Sequence, residues 1–258
     1  MTPEHSDDAG VELHVNGPVA TITLNRPDRL NSQTPATWRS LAAFGAGLDP
    51  GVRVVVVRGE GRAFSAGLDR SLFTADPAVE EGLAATATGT DDDIAERIAE
   101  FQAGFSWLTT GPAISIAAVH GHAIGAGFQL ALACDLRVLS ADAMLCMAET
   151  SLGLVPDLTG TAPLVRAVGY SRALEMCATG RRVDATEAAA LGLATAVVPP
   201  EQLADAVEDL VAALLAGPAR SVTATKQLLL GAADRTRVEQ CAAERQAQVA
   251  MLRQLGSG

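Results

Sequence analysis

Two carboxylates stand in a stretch otherwise poor in charge, Glu149 in MAETSLGL and Asp157 in VPDLTG. Gly153 and Pro156 lie between them, so a loop rather than one helix face carries both. A carboxyl group in apolar surroundings holds its proton more tightly and can serve as a general acid or base. The structural alternative is capping, with Asp157 at the start of a helix from Thr161. Other reactive side chains point to less. His120 and His122 flank Gly121 without a third ligand nearby, so no metal site is expected. Ser65 lacks the G-x-S-x-G setting of a nucleophile elbow. Arg26, Arg29, Arg62 and Arg70 all border predicted turns, where a guanidinium can pair with phosphate or simply meet solvent.

Backbone donors are the second chemical resource. In Ala113–Asp135, AISIAAVHGHAIGAGFQLALACD, an apolar strand (Ile114–Val119) runs into a small-residue turn (Gly121–Gly127), then a helix starting near Ala126. Small residues let a backbone turn tightly and approach a ligand. The first N–H groups of a helix lack internal partners and can face negative charge. Gly61-Arg-Ala-Phe-Ser-Ala-Gly67-Leu68 and Gly121-His-Ala-Ile-Gly-Ala-Gly127-Phe128 share Gly, Ala, Ala and Gly at matching places. Each follows a β-branched run, so a supersecondary unit is repeated and two turns can converge on one site. The dinucleotide pattern G-x-G-x-x-G is absent, and a phosphate loop needs a Lys, whereas the only one is Lys226.

These residues must be positioned by ordinary globular elements. At 258 residues the chain suits one domain with a sizeable core. Val11–Val15 and Val19–Leu24 read as a hairpin around Asn16-Gly17, Pro35–Leu48 as a helix and Val52–Arg58 as a central strand. Asp93–Trp107 is helical, and Leu136–Leu139 and Ala143–Cys146 are short strands. Asp184-Ala-Thr-Glu187 predicts a helix start, and Ala194–Val198 a last strand. Glu201–Ala216, Ser221–Ala232 and Arg237–Leu255 then form a helical tail. The acidic segment Asp76–Asp93 reads as a solvated loop, and the first residues as a disordered, leaderless start. A net charge of −11 argues against nucleic acid, and no membrane partner is expected. Four cysteines without ligand spacing fit buried thiols in a reducing, cytoplasmic setting.

Five blocks carry a family resemblance: LNRPDRLN (Leu24–Asn31), GRAFSAGLD (Gly61–Asp69), GHAIGAGFQLALACD (Gly121–Asp135), AETSLGLVPD (Ala148–Asp157) and ATGRRVDATEAAALGLATAVVP (Ala178–Pro199). In this order they resemble the enoyl-CoA hydratase/isomerase, or crotonase, superfamily, from about Val11 to the C-terminus. The resemblance implies an α/β fold with a crotonase-like spiral core of repeated ββα units and a C-terminal helical trimerisation region. The corresponding division is residues 1–199 for the acyl-CoA-binding core and 200–258 for oligomerisation, giving a homotrimer or a dimer of trimers. It further implies an acyl-CoA thioester as substrate, with CoA part of that substrate and no separate cofactor. The thioester oxygen would meet the backbone N–H groups of Leu68 and Ala126. CoA and acyl contacts would come from Arg26, Arg29, Leu30, Ala66, Gly67, Asp69, Arg70 and Gly125, and the acyl pocket from Leu72–Asp93.

One position departs from the family pattern. Hydratases of the family carry two glutamates, and the positions here are Gln129 and Glu149. An amide can orient a molecule but cannot take and return a proton. Asp157 falls where some relatives carry a catalytic aspartate. The expected chemistry is therefore double-bond isomerisation of an enoyl- or dienoyl-CoA through a thioester enolate, with Glu149 and Asp157 as acid/base. Hydration with Gln129 positioning water is the alternative, followed by hydrolysis or C–C cleavage. A catalytically silent CoA-ester binding protein is the non-enzymatic alternative.

Overall fold

The computed structural model describes residues 4–6, 9–74, 76, 79 and 82–255. Its spine is a seven-stranded sheet in which β-branched runs pack on both faces. The strands are β1 (Glu4–Ser6), β2 (Val11–Asn16), β3 (Val19–Leu24), β4 (Val54–Gly59), β5 (Ile114–Val119), β7 (Leu136–Ser140) and β10 (Ala196–Val198). They lie in the order β1-β2-β3-β4-β5-β7-β10, antiparallel up to β3 and parallel beyond it. A parallel sheet needs cover on both faces. Val55, Val57, Ala117, Val119 and Leu139 face one core. Val54, Val56, Ile116, Ala118 and Val138 face the other.

A second, three-stranded sheet joins β6 (His122–Ile124), β8 (Met144–Cys146) and β9 (Val183–Asp184) in the order β6-β8-β9. The sequence pattern puts residues 122–124 inside a turn, and the structure corrects this. They form a strand because Ala123 is fully buried and the segment pairs in parallel with Met144–Cys146. Three residues are too few to show a period, so this pairing has no local signature. The isolated bridge Ser65↔Ala123 brings the first small-residue turn against the same strand. The second copy of the repeat is thus a strand in the large sheet, a short strand in the small one and a helix, and the first copy meets the small sheet through the single bridge at Ser65.

The helices are α1 (Pro35–Ala46), α2 (Leu83–Thr86), α3 (Asp91–Thr110), α4 (Ala126–Ala133), α5 (Thr161–Val168), α6 (Tyr170–Thr179), α7 (Ala185–Ala190), α8 (Leu203–Ala216), α9 (Ala219–Leu230) and α10 (Arg237–Leu255). The acidic segment read as a loop is partly helical. Thr90 and Asp93 form a capping box, and Asp91–Asp93 supply negative charge to the first turn of α3, where the helix dipole favours it. Arg97 then donates to the carbonyls of Ala85, Thr86 and Thr88 at the end of α2. Residues 75, 77, 78, 80 and 81 of that segment, and 1–3 of the expected disordered start, lie outside the described residues.

The tail has two parts. Helix α8 covers the sheet's own second face with Leu203 and Val207. Helix α9 is tied down by Lys226, whose Nζ donates to the carbonyls of Leu108 (3.3 Å) and Ala113 (2.6 Å) and to Asp135 Oδ2 (2.7 Å). Helix α10 follows with no buried residue among those described. No helix among the described residues is long and apolar enough to cross a membrane.

Candidate active site

The two small-residue turns meet. Gly67 lies so close to the second turn that a Cβ there would stand 2.4 Å from Ile124 O and 3.4 Å from Ala126 N. Its φ of +84° adds a conformational demand that side-chain-bearing residues rarely meet. Gly125, with φ +53° and ψ −121°, makes the sharp entry into α4.

Both turns aim an N–H outward by fixing the carbonyl of the same peptide. The C=O and N–H of a trans peptide point opposite ways. Gly67 O accepts from Gln33 N (2.7 Å), which leaves the Leu68 N–H facing away from that bond. Gly125 O accepts from Gln129 N (2.9 Å), which leaves the Ala126 N–H facing out of the start of α4. Among the described residues neither N–H has a hydrogen-bond partner. Two free donors on neighbouring turns are the kind of groups that an oxygen gaining negative charge requires.

Glu149 lies against the second of these turns. It opens a short 3-10 turn and is buried, with Oε1 3.4 Å from the place a Cβ on Gly125 would occupy. Gln129 Nε2 donates to Glu149 Oε1 at 2.6 Å. The Gln129 carbonyl oxygen accepts from Leu158 N (2.9 Å) and Gly160 N (3.2 Å). Those two N–H donors identify which end of the amide is oxygen. Glu149 Oε2, also buried, has no partner. Burial pushes the Glu149 carboxyl above the ordinary carboxylate range, against the hydrogen bond from Gln129, and the charge of Asp157 adds to the rise. Burial raises Asp157 as well.

Gln102, which sequence reasoning missed, donates from Nε2 to Asp157 O at 2.7 Å. Two glutamines therefore hold the loop that carries Asp157, one from α3 and one from α4. Nothing in the local pattern of α3 marks Gln102, since its partner is 55 residues away. Cys146 and Cys177 also border Glu149. Burial, then the charge of Glu149, pushes both thiols up, which suits packing rather than nucleophilic attack.

The expected phosphate-binding arginines separate into two kinds. Arg29 and Arg70 are exposed, and their side chains make no hydrogen bond among the described residues. Arg26 is spent internally on Asp69 Oδ2 (2.8 Å) and Ser32 O (2.9 Å). Asp69 accepts further bonds from Ser32 and Ser71, which hold its carboxyl down at about 2 against the opposing effect of burial. Leu30 and Ala66 pair through Ala66 N to Leu30 O (2.8 Å), which links the Arg26 turn to the first donor turn. No group of His, Cys, Asp and Glu among the described residues is arranged to hold a metal ion.

Known proteins resemble this chain in sequence and in fold. A family model for enoyl-CoA hydratase/isomerase matches residues 14–256. The (E)-benzylidenesuccinyl-CoA hydratase of Thauera aromatica is 34% identical over 84% of this chain and 80% of its own. A Thermobifida fusca YX protein solved in complex with CoA is 50% identical, with a TM-score of 0.92 over 98% of this chain and 96% of that one. A structure from the same organism in complex with acetoacetyl-CoA is 49% identical, with a TM-score of 0.90 over 96% of each chain.

Proposed function

We propose, from the premise that the chain belongs to the enoyl-CoA hydratase/isomerase family, that it moves the double bond of an enoyl- or dienoyl-CoA through a thioester enolate. Glu149 Oε2 takes a proton from carbon next to the thioester carbonyl. The C–H electrons move into the carbonyl, and the Leu68 and Ala126 N–H groups hold the resulting oxyanion. Glu149 then returns the proton at the far end of the conjugated system, with Asp157 as the second acid/base. Preorganised donors of this kind contribute on the order of 3–4 kcal/mol each.

One observation carries the reading. Gln129 binds Leu158 N and Gly160 N through its oxygen and Glu149 through its nitrogen, which leaves Glu149 Oε2 as the free acid/base atom beside the second donor turn. A proton shuttle needs one such atom, whereas two-glutamate hydration needs a second carboxylate on the water. Hydration is the second reading, favoured by the hydratase name of the Thauera aromatica relative. Arg29 and Arg70 then serve the CoA phosphates.

The test is incubation with 2-enoyl-, 3-enoyl- and dienoyl-CoA esters in deuterated water, with products identified by mass spectrometry. Isomerisation gives a shifted double bond without gain of water, and deuterium enters to the extent that the proton held by Glu149 exchanges with solvent before it is returned. Gain of one water from a 2-enoyl ester as the dominant product would replace the isomerase reading with hydration. Release of free CoA marks hydrolysis, and tight binding without any product marks a silent binder; either result rejects the proposal.

A further inference from the structure

Arg26 lies beside the expected CoA site, yet its guanidinium points into the protein. Nη1 donates to Ser32 O at 2.9 Å. The N–H of that same Ser32–Gln33 peptide donates to Gly67 O at 2.7 Å. The N–H of the Gly67–Leu68 peptide is the unpartnered donor of the first turn. A cation, two peptide units and a free N–H thus form one head-to-tail hydrogen-bond chain. We propose that Arg26 is a positioning residue that aligns and polarises the Leu68 N–H through the Ser32–Gln33 and Gly67–Leu68 peptides. The proposal rests on the reading of Leu68 and Ala126 as the receptor for a thioester oxygen.

Three features support this role over phosphate binding. First, a charged donor on Ser32 O draws electron density from that peptide, which makes Gln33 N–H a stronger donor to Gly67 O and, in turn, Leu68 N–H a stronger donor. Each link in such a chain strengthens the next by roughly 10–30%. Second, the fork is anchored. Nη2 meets Asp69 Oδ2 at 2.8 Å, and the remaining Asp69 contacts are Ser32 Oγ (3.1 Å), Ser71 N (3.0 Å) and Ser71 Oγ (2.8 Å). This neutralises a carboxylate adjacent to Leu68 that would otherwise oppose charge on the substrate oxygen. Third, the chain adopts a costly shape to deliver Ser32 and Gln33. Leu30 and Asn31 are consecutive left-handed residues, with φ of 52° and 53°. Arg26 N donates to Asn31 Oδ1 and Arg26 O accepts from Asn31 N, which holds that turn closed. Strain of about 1–3 kcal/mol per such residue persists only where surrounding contacts over-determine it.

The experiment uses Arg26→Gln and Arg26→Lys in the full chain, with CoA and acetoacetyl-CoA as probes. Calorimetry with CoA reads phosphate recognition. The near-ultraviolet absorbance of bound acetoacetyl-CoA reads its enolate-to-keto ratio, and hence the strength of the oxygen receptor. Removing one donor outright costs about 10²–10³-fold, so weakening one predicts a fall in that ratio of about tenfold in Arg26→Gln. CoA affinity should stay within about threefold, and Arg26→Lys, which keeps the charge but not the fork, should fall between. The reverse pattern, with CoA affinity lost and the enolate ratio intact, makes Arg26 a phosphate ligand and overturns the proposal. Unchanged values in both variants overturn it too. If Arg26→Gln does not fold, Arg26→Lys decides by the same two readouts. A wild-type chain that binds acetoacetyl-CoA without forming any enolate would instead refute the receptor reading itself, whatever the variants do.

Discussion

Glu149 combines a titratable group, a buried unpartnered oxygen and a carboxyl raised by burial. Its ionised form is the base, so activity should be lost as pH falls through a limb lying above the ordinary carboxylate range. Glu149→Gln should remove that limb and lower turnover by about 10²–10⁴-fold while acyl-CoA binding is kept. Steady-state rates across pH, paired with calorimetry, check both parts. Gln129 makes a sharper test. In Gln129→Glu a second carboxylate would stand where Gln129 Nε2 now lies 2.6 Å from Glu149 Oε1. Two carboxylates at that distance cannot both ionise, so the pair should keep one proton and the acid limb should move further up. The variant should also gain hydration of a short 2-enoyl-CoA. A wild type that already hydrates this ester efficiently, with the variant no better, would defeat the isomerase reading.

At the level of elements, the site depends on two turns whose shape tolerates little. Gly67→Ala would put a methyl against Ile124 O and ask Ala to hold φ +84°. The first donor should move off target, with a loss of about 1–3 kcal/mol in stability and a fall in turnover larger than the fall in CoA affinity. Urea unfolding and kinetics would separate these effects. Both turns are legible in the amino-acid order alone, because repeated small residues after two β-branched runs are a local pattern. The boundaries of α10 and the Asp184 cap of α7 are legible for the same reason. Strand β6 is not, nor are the clamps made by Gln102 and Gln129 or the inward turn of Arg26. Each depends on partners 20 or more residues away or on a peptide orientation that composition does not encode. The family resemblance points to Arg26 and Asp69 as site residues, but only the hydrogen bonds show what they hold.

The whole molecule leaves part of its tail unfinished. Helix α10 spans 19 residues without a buried one among those described, and Leu229, Val238, Leu252 and Leu255 are more than half exposed. A cavity of about 780 Å³ lies between α9 and the core, lined by Leu132, Leu214, Val222 and Leu229. An isolated helix of this length is marginal in water, and a symmetric assembly of copies would cover these surfaces. Light scattering at micromolar concentration should give the mass of a trimer or a dimer of trimers, and a monomeric mass would reject that expectation. The tail's attachment to its own core is a separate matter. Lys226→Met should remove the contacts to Asp135, Leu108 and Ala113 at a cost on the order of 3 kcal/mol, with amide exchange rising first in α9. Because Lys226 is the only lysine in the sequence and its amine is enclosed, an amine-reactive reagent finds no exposed lysine on the folded chain. Random lysine coupling is therefore closed to this protein, and the slow appearance of a modified Lys226 would serve as a clock for each time the tail lifts from the core.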